Sequence, residues 1–274
     1  TALGLMSGTS MDGVDLSVIK SDGYDQFSSI FNIYREFDND LYKQLVSTRD
    51  KISSTVDLKI HSDDLNSLER KFTLFNSEII NDVMQNIGEE IDLIGFHGQT
   101  IFHNSKIKTS KQIGDGKLLS SLLKKIVVNN FRKNDLNHGG QGAPLTPIFH
   151  YLISKIIKKK FNIDFPLSII NIGGITNVTQ IKNTFNNVNH DFFANDIAPG
   201  NCLIDEWVRK HVKSKYDDNG NYAISGKVDD LVLNQAIDNF EIKSFDSSLD
   251  VKDFDLSFVK GLSLEDGVST LADF

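Results

Sequence analysis

The chain has 274 residues, a formal net charge of −8 and a pI near 5.3, a balance that argues against nucleic acid or an anionic membrane as its main partner. Its single cysteine, Cys202, excludes an internal disulfide. With 39% hydrophobic and 24% charged residues, no apolar run long enough to span a bilayer and no signal-peptide pattern, the composition predicts a cytoplasmic globular protein of one large or two ordinary domains.

Two short apolar runs, residues 2–6 and 14–19, flank a turn of Gly, Ser, Thr and Asp, which predicts a β-hairpin with a longer loop. The loop supplies main-chain N–H groups and the hydroxyls of Ser7, Thr9 and Ser10, so it is a candidate phosphate cradle. Asp12 and Asp15 would repel a bare phosphate and fit beside a nucleotide only with Mg²⁺ between. An ordinary hairpin turn is the alternative reading of the composition alone. Residues 27–37 follow as a third strand, and the polar stretch 47–62 as loop with a short helix.

Leu65, Leu68, Phe72, Phe75, Ile79 and Val83 recur every three or four residues and predict a long amphipathic helix. Ser62 or Asp63 would cap it, and Gly88 lies just past its end. Residues 91–96 form a buried strand ending in His97-Gly98-Gln99-Thr100-Ile101-Phe102-His103. Polar residues at a strand end lie where α/β proteins place ligands, although a structural hydrogen-bonding His is the commoner case. None of the seven histidines shows a zinc spacing.

A helix over 115–125 and a strand over 126–129 precede residues 130–135 and then His138-Gly139-Gly140-Gln141-Gly142-Ala143-Pro144. The glycines mark either a helix-entry loop or a loop that approaches a ligand, and Arg132 and Asp135 just upstream favour the second. Pro147 opens a helix to about Lys160, and residues 158–164 read as a connector. Residues 167–172 then run into Gly173-Gly174 and a second strand, which repeats the opening design and implies an internal duplication. Asp196 is placed in a turn before a helix over 202–215, whose N-terminal N–H groups would keep a carboxylate ionised; a capping Asp is the alternative. Helices over 228–240 and from 264 onward complete the reading.

Five segments taken together, Gly4–Asp15, His97–His103, Phe131–His150, Asn171–Thr179 and Asp196–Asp205, resemble the anhydro-N-acetylmuramic acid kinases, members of the sugar kinase, Hsp70 and actin superfamily. The resemblance implies an α/β fold of two ribonuclease-H-like lobes around a cleft, divided here as residues 1–165 and 166–274, with the second lobe incomplete. It implies an enzyme that uses ATP, Mg²⁺ and water to convert 1,6-anhydro-N-acetylmuramic acid to N-acetylmuramic acid 6-phosphate in cell-wall recycling. Gly8, Thr9, Ser10, Met11, Asp12, Gly13, Val14 and Asp15 align with the ATP phosphate segment, and Gly173 and Gly174 with the second phosphate loop. Asp12 would reach Mg²⁺ through water, and Asp196 aligns with the catalytic carboxylate. His97, Gln99, Thr100, Arg132, Asp135, Gln141, Gly142, Ala143 and Pro144 fall on the sugar side. A homodimer is also implied.

The sequence departs from the family pattern at Asn130, where Asp is usual, and at His138, where a small residue is usual. The family continues beyond the point matching Phe274 with a further glycine-rich nucleotide segment and an acidic sugar contact. Two other readings therefore stand beside the kinase: a truncated, non-catalytic sugar- or nucleotide-binding relative, and a kinase of the same fold acting on another sugar. If the adenosine side of the nucleotide site is missing, weak ATP binding is expected.

Overall fold

A computed structural model describes residues 1–24, 26–182, 192–241, 249 and 251–274. The chain divides into two compact units, Thr1–Ile156 and Ile157–Phe274.

In the first unit β1 (Ala2–Ser7), β2 (Gly13–Ser21) and β3 (Phe27–Glu36) form an antiparallel meander. Alternation builds it: Leu3 and Leu5 of β1 and Val14, Leu16 and Val18 of β2 are buried while their neighbours face out. Three helices follow, α1 (Asn39–Lys51), α2 (Thr55–Ile60) and α3 (Ser62–Asn86). The loop with a short helix expected over 47–62 contains α2, but residues 47–51 belong instead to α1, which Asp38 caps by accepting from the N–H groups of Asp40 and Leu41. Its buried stripe holds only Leu41 and Leu45, too few for a periodic signal. Ser62 lies inside α3, whose N-cap is His61, and Gly88 follows its end with φ +66°.

β4 (Leu93–Asn104) is the central strand. Its first half pairs in parallel with β1 and with β6 (Ile126–Asn129); its second half pairs antiparallel with β5 (Thr109–Ile113). The sheet runs β3-β2-β1-β4-β5, with β6 also on β4. This corrects the placement of residues 97–103 after a strand end. The strand continues because Gly98 adopts φ +74°, where a Cβ would lie 2.4 Å from the Ile113 carbonyl oxygen, so only glycine lets it bend toward β5. α4 (Gly116–Leu123) is capped by Asp115, and α5 (Phe131–Asn137) occupies residues to which the sequence pattern gives no element. α6 (Pro147–Phe161) starts at its proline and crosses the unit boundary. Lys158, Lys159 and Lys160 are its last turn, where cations meet the negative helix end. Phe72, Phe96, Ile80, Ile94 and Leu45 lie among the fully buried side chains of this unit's core, each contributing about 2 kcal/mol of burial.

The second unit opens with an antiparallel meander, β7 (Leu167–Ile172), β8 (Ile175–Ile181) and β9 (Phe192–Pro199). α7 (Cys202–His211), the short α8 (Asn221–Ser225), α9 (Asp230–Glu241) and α10 (Leu264–Asp273) follow. α7 stops at His211 rather than near residue 215, because Val212 is extended. Trp207, Leu203 and Val208 of α7 pack with Val268 and Leu271 of α10, and the Trp207 indole N–H donates to the Leu264 carbonyl at 3.2 Å.

Candidate active site

The β1–β2 loop is held by its carbonyls. Gly8 O accepts from the Met11 N–H at 3.3 Å and from Gln99 Nε2 at 2.9 Å. Thr9 O accepts from Arg49 Nη1 at 3.4 Å, Asp12 O from the Phe37 N–H at 2.8 Å, and Gly13 O lies 2.9 Å from Ser7 Oγ. In a trans peptide the C=O and the following N–H point opposite ways. Holding Gly8 O and Thr9 O therefore turns the Thr9 and Ser10 N–H groups the opposite way, two adjacent donors of the kind an anion-binding nest uses. Met11 fixes the loop from below: it has φ +58° and is 1% exposed, buried in the core. Val14 is equally buried in β2.

Ser10 Oγ donates to Asp12 Oδ1. Although Asp15 as a residue is exposed, its carboxyl is partly withdrawn from water. That burial first, and the negative charge of Asp12 second, raise its pKa above the ordinary carboxylate value. A carboxyl whose ionisation a neighbouring carboxylate disfavours fits a nearby cation.

The second hairpin turn, Gly173-Gly174, is held by main-chain donors. Gly173 O accepts from the Asn201 N–H at 2.8 Å; Gly174 O accepts from Gly200 at 3.0 Å and Cys202 at 3.2 Å. These donors lie at the start of α7, so the helix N-terminus serves the turn rather than Asp196. Asp196 itself lies in β9, register partner of Asn177, and not in a turn as expected. Its Oδ2 accepts from the Leu249 N–H at 2.9 Å.

On the expected sugar side the structure separates the residues. His97 is buried, with Nδ1 2.7 Å from the Gly98 carbonyl and Nε2 2.9 Å from Arg132 Nη2. The carbonyl requires Nδ1 to carry the proton, so Nε2 accepts from Arg132 and the ring is neutral. Burial first and the Arg132 charge second push its pKa down to about 4, against the pull of the Gly98 carbonyl. Arg132 Nη1 donates to the Gly142 carbonyl at 2.6 Å, and Asp135 Oδ2 accepts from the Gly142 N–H at 2.7 Å. α5 thus grips both sides of Gly142. Gln141 is exposed, while Ala143 and Pro144 are half-buried ahead of α6. Gln99 faces the β1–β2 loop instead, and Thr100 Oγ1 accepts from Gln112 Nε2 at 3.3 Å.

Beside this cluster lies a cavity of about 390 Å³ bounded by Phe96, His97, Ser110, Gln112, Asn129, Asn130 and Lys133 among others, a volume that suits a small ligand. Of the expected sugar-side residues only His97 lines it. Asn129 and Lys133 were not singled out from sequence, because isolated polar residues beside a four-residue strand carry no pattern. Among the described residues, no group of three or more His, Cys, Asp or Glu could hold a metal, and no helix is long and apolar enough to cross a membrane.

The mixed α/β architecture, with a central mixed sheet and flanking helices, is consistent with a sugar-kinase ATPase-like fold. The family model described as anhydro-N-acetylmuramic acid kinase matches residues 1–259. A protein of that name from Pelagibacter ubique is 55% identical over 278 aligned positions, covering all of this chain and 72% of the relative. Those from Zymomonas mobilis and Methylobacterium nodulans are 36% and 34% identical, each covering all of this chain and 74% of the relative. The chain belongs to the anhydro-N-acetylmuramic acid kinase family.

Proposed function

We propose that this protein is an ATP-dependent kinase that opens 1,6-anhydro-N-acetylmuramic acid with water and yields N-acetylmuramic acid 6-phosphate. The observation that carries the reading, beside family membership, lies within the second unit. β8 begins at the Gly173-Gly174 turn and pairs through Asn177 with Asp196, so one small sheet carries both a phosphate turn and a candidate base.

Asp196 takes a proton from water as the water oxygen bonds to the anomeric carbon; the bond from that carbon to O6 breaks, and O6 takes the γ-phosphoryl group while ADP departs. A glycosidase needs a second carboxyl to protonate its leaving oxygen. Here the phosphoryl group captures that oxygen, so one general base suffices.

In this reading the N–H groups of Thr9 and Ser10 in the first loop and of Gly174 in the second hold the phosphates, the two loops belonging to the two lobes of a ribonuclease-H-like fold. Asp12 and Asp15 are the residues that would hold Mg²⁺, Asp12 through water, and the raised pKa of Asp15 fits that role. Mg²⁺, when bound, supplies charge neutralisation on the transferring phosphoryl group. His97, Arg132, Asp135 and the loop through Pro144 shape the sugar side.

The test is turnover of the anhydro sugar with ATP by the wild type and by Asp196→Asn. Turnover should fall roughly 10²–10⁴-fold with ATP affinity little changed. A variant as active as the wild type would remove Asp196 from the mechanism, and an inactive wild type that still binds both ligands would favour the non-catalytic relative.

A further inference from the structure

Gln99 belongs to the segment aligned with the sugar side, yet its contacts lead elsewhere. Its relative exposure is 0%, so no ligand can reach it without displacing protein. Both ends of its amide are committed to the β1–β2 loop: Nε2 donates to Gly8 O, and Oε1 accepts from Ser7 Oγ. The parallel β1–β4 register sets Ser7 beside Gln99 after a shift between Leu5 and Ser7, which brings the loop over the side chain. Ser7 has one hydroxyl proton and two acceptors in reach, Gln99 Oε1 and Gly13 O. Ser7 and Gln99 thus tie both feet of the loop.

The peptide plane between Gly8 and Thr9 is the part under control. Gln99 draws its carbonyl toward β4, and the Thr9 N–H on the same plane must then point away from β4. Without Gln99 that carbonyl keeps only the longer bond from the Met11 N–H at 3.3 Å, and a glycine backbone with no side chain gives the peptide plane more freedom to turn.

We infer that Gln99 is a positioning residue for ATP rather than a sugar contact, acting through Gly8 to aim the Thr9 N–H at a nucleotide phosphate. The inference rests on reading residues 8–15 as the phosphate cradle. It divides the tripeptide His97-Gly98-Gln99 between the two ligands: His97 props the Gly142 loop through Arg132, and Gln99 props the phosphate loop.

The experiment compares wild type, Gln99→Leu, Ser7→Ala and the double variant, by steady-state kinetics and by calorimetric titration of Mg²⁺-ATP. Gln99→Leu should raise the ATP KM and Kd about tenfold and leave the anhydro-sugar KM within about twofold. Ser7→Ala, a smaller change that keeps the fold if Gln99→Leu does not, should move the same two constants by about threefold. The double variant should lose less than the product of the singles, because both side chains hold one loop. A raised sugar KM with an unchanged ATP KM in either variant would overturn the assignment, as would equal ATP affinity in all four proteins. If the wild type binds ATP but turns over no anhydro sugar, the proposed reaction fails, while an ATP Kd weakened by the variants still upholds the positioning role.

Discussion

The two glycine hairpins reach the same end by different means. In the first unit the β1–β2 loop spans several residues, and its carbonyls are held by the side chains of Arg49 and Gln99 together with the main-chain N–H groups of Met11 and Phe37. In the second the turn is two glycines, secured by the main-chain N–H groups of Gly200, Asn201 and Cys202. A loop held by side chains can be retuned one substitution at a time. A turn held by backbone donors answers only to changes that move the backbone.

The largest effect should separate the glycines of the two regions. At Gly200 a Cβ would sit 2.2 Å from the Gly173 carbonyl oxygen, whereas at Gly8 the nearest atom is 3.8 Å away. Gly200→Ala should therefore cost about 3 kcal/mol, read as a fall in thermal midpoint with loss of activity, while Gly8→Ala should leave the midpoint nearly unchanged. Similar melting of the two variants would break the contrast.

The next effect is acid sensitivity confined to the side-chain-held region. The folded-state pKa of His97 is about 4 against an ordinary value of 6.5. Between those values the unfolded chain binds the proton first, so the contribution of neutral His97 is complete above about pH 6.5 and is lost as pH falls toward 4. Urea unfolding of wild type and His97→Phe at pH 7 and pH 4.5 should show the stability gap narrowing by about 2 kcal/mol at the lower pH. A constant gap would mean that His97 is not held neutral by burial and Arg132.

Arg49→Ala should have the smallest effect. Its bond to Thr9 O is long, at 3.4 Å, and the same guanidinium engages Asp50. ATP affinity should weaken by less than about threefold; a loss as large as that of Gln99→Leu would make Arg49 an equal support of the loop.

The legibility of these regions from sequence follows the same division. Both hairpins were readable because turn residues sit between alternating apolar runs, a local signal. The donors that hold the turns were not, since Gln99 and Gly200 are joined to them only by folding. Asp196 was expected beside a helix end because Pro199 and Gly200 look like a turn, yet β9 extends to Pro199 as an outer strand that needs no N–H there. β5 escaped notice because its residues Thr109–Ile113 carry a single buried apolar side chain, Ile113. α5 escaped because seven residues with only Leu136 buried show no period. The long helix α3 was legible because its stripe repeats over many turns.

The pairing of Gln99 with Gly8 has a consequence in time as well as in space. The two are 91 positions apart, and a ribosome adding 5–20 residues per second makes Gln99 about 5–20 seconds after Gly8. Throughout that interval the nascent loop has Met11, Phe37 and Arg49 as donors but not the side-chain amide that holds Gly8 O at the shorter distance. The Gly173-Gly174 turn waits only for Gly200 to Cys202. The segment synthesised first therefore waits longer for its partner than its counterpart does, and during synthesis it is open to chaperones and proteases over that longer interval.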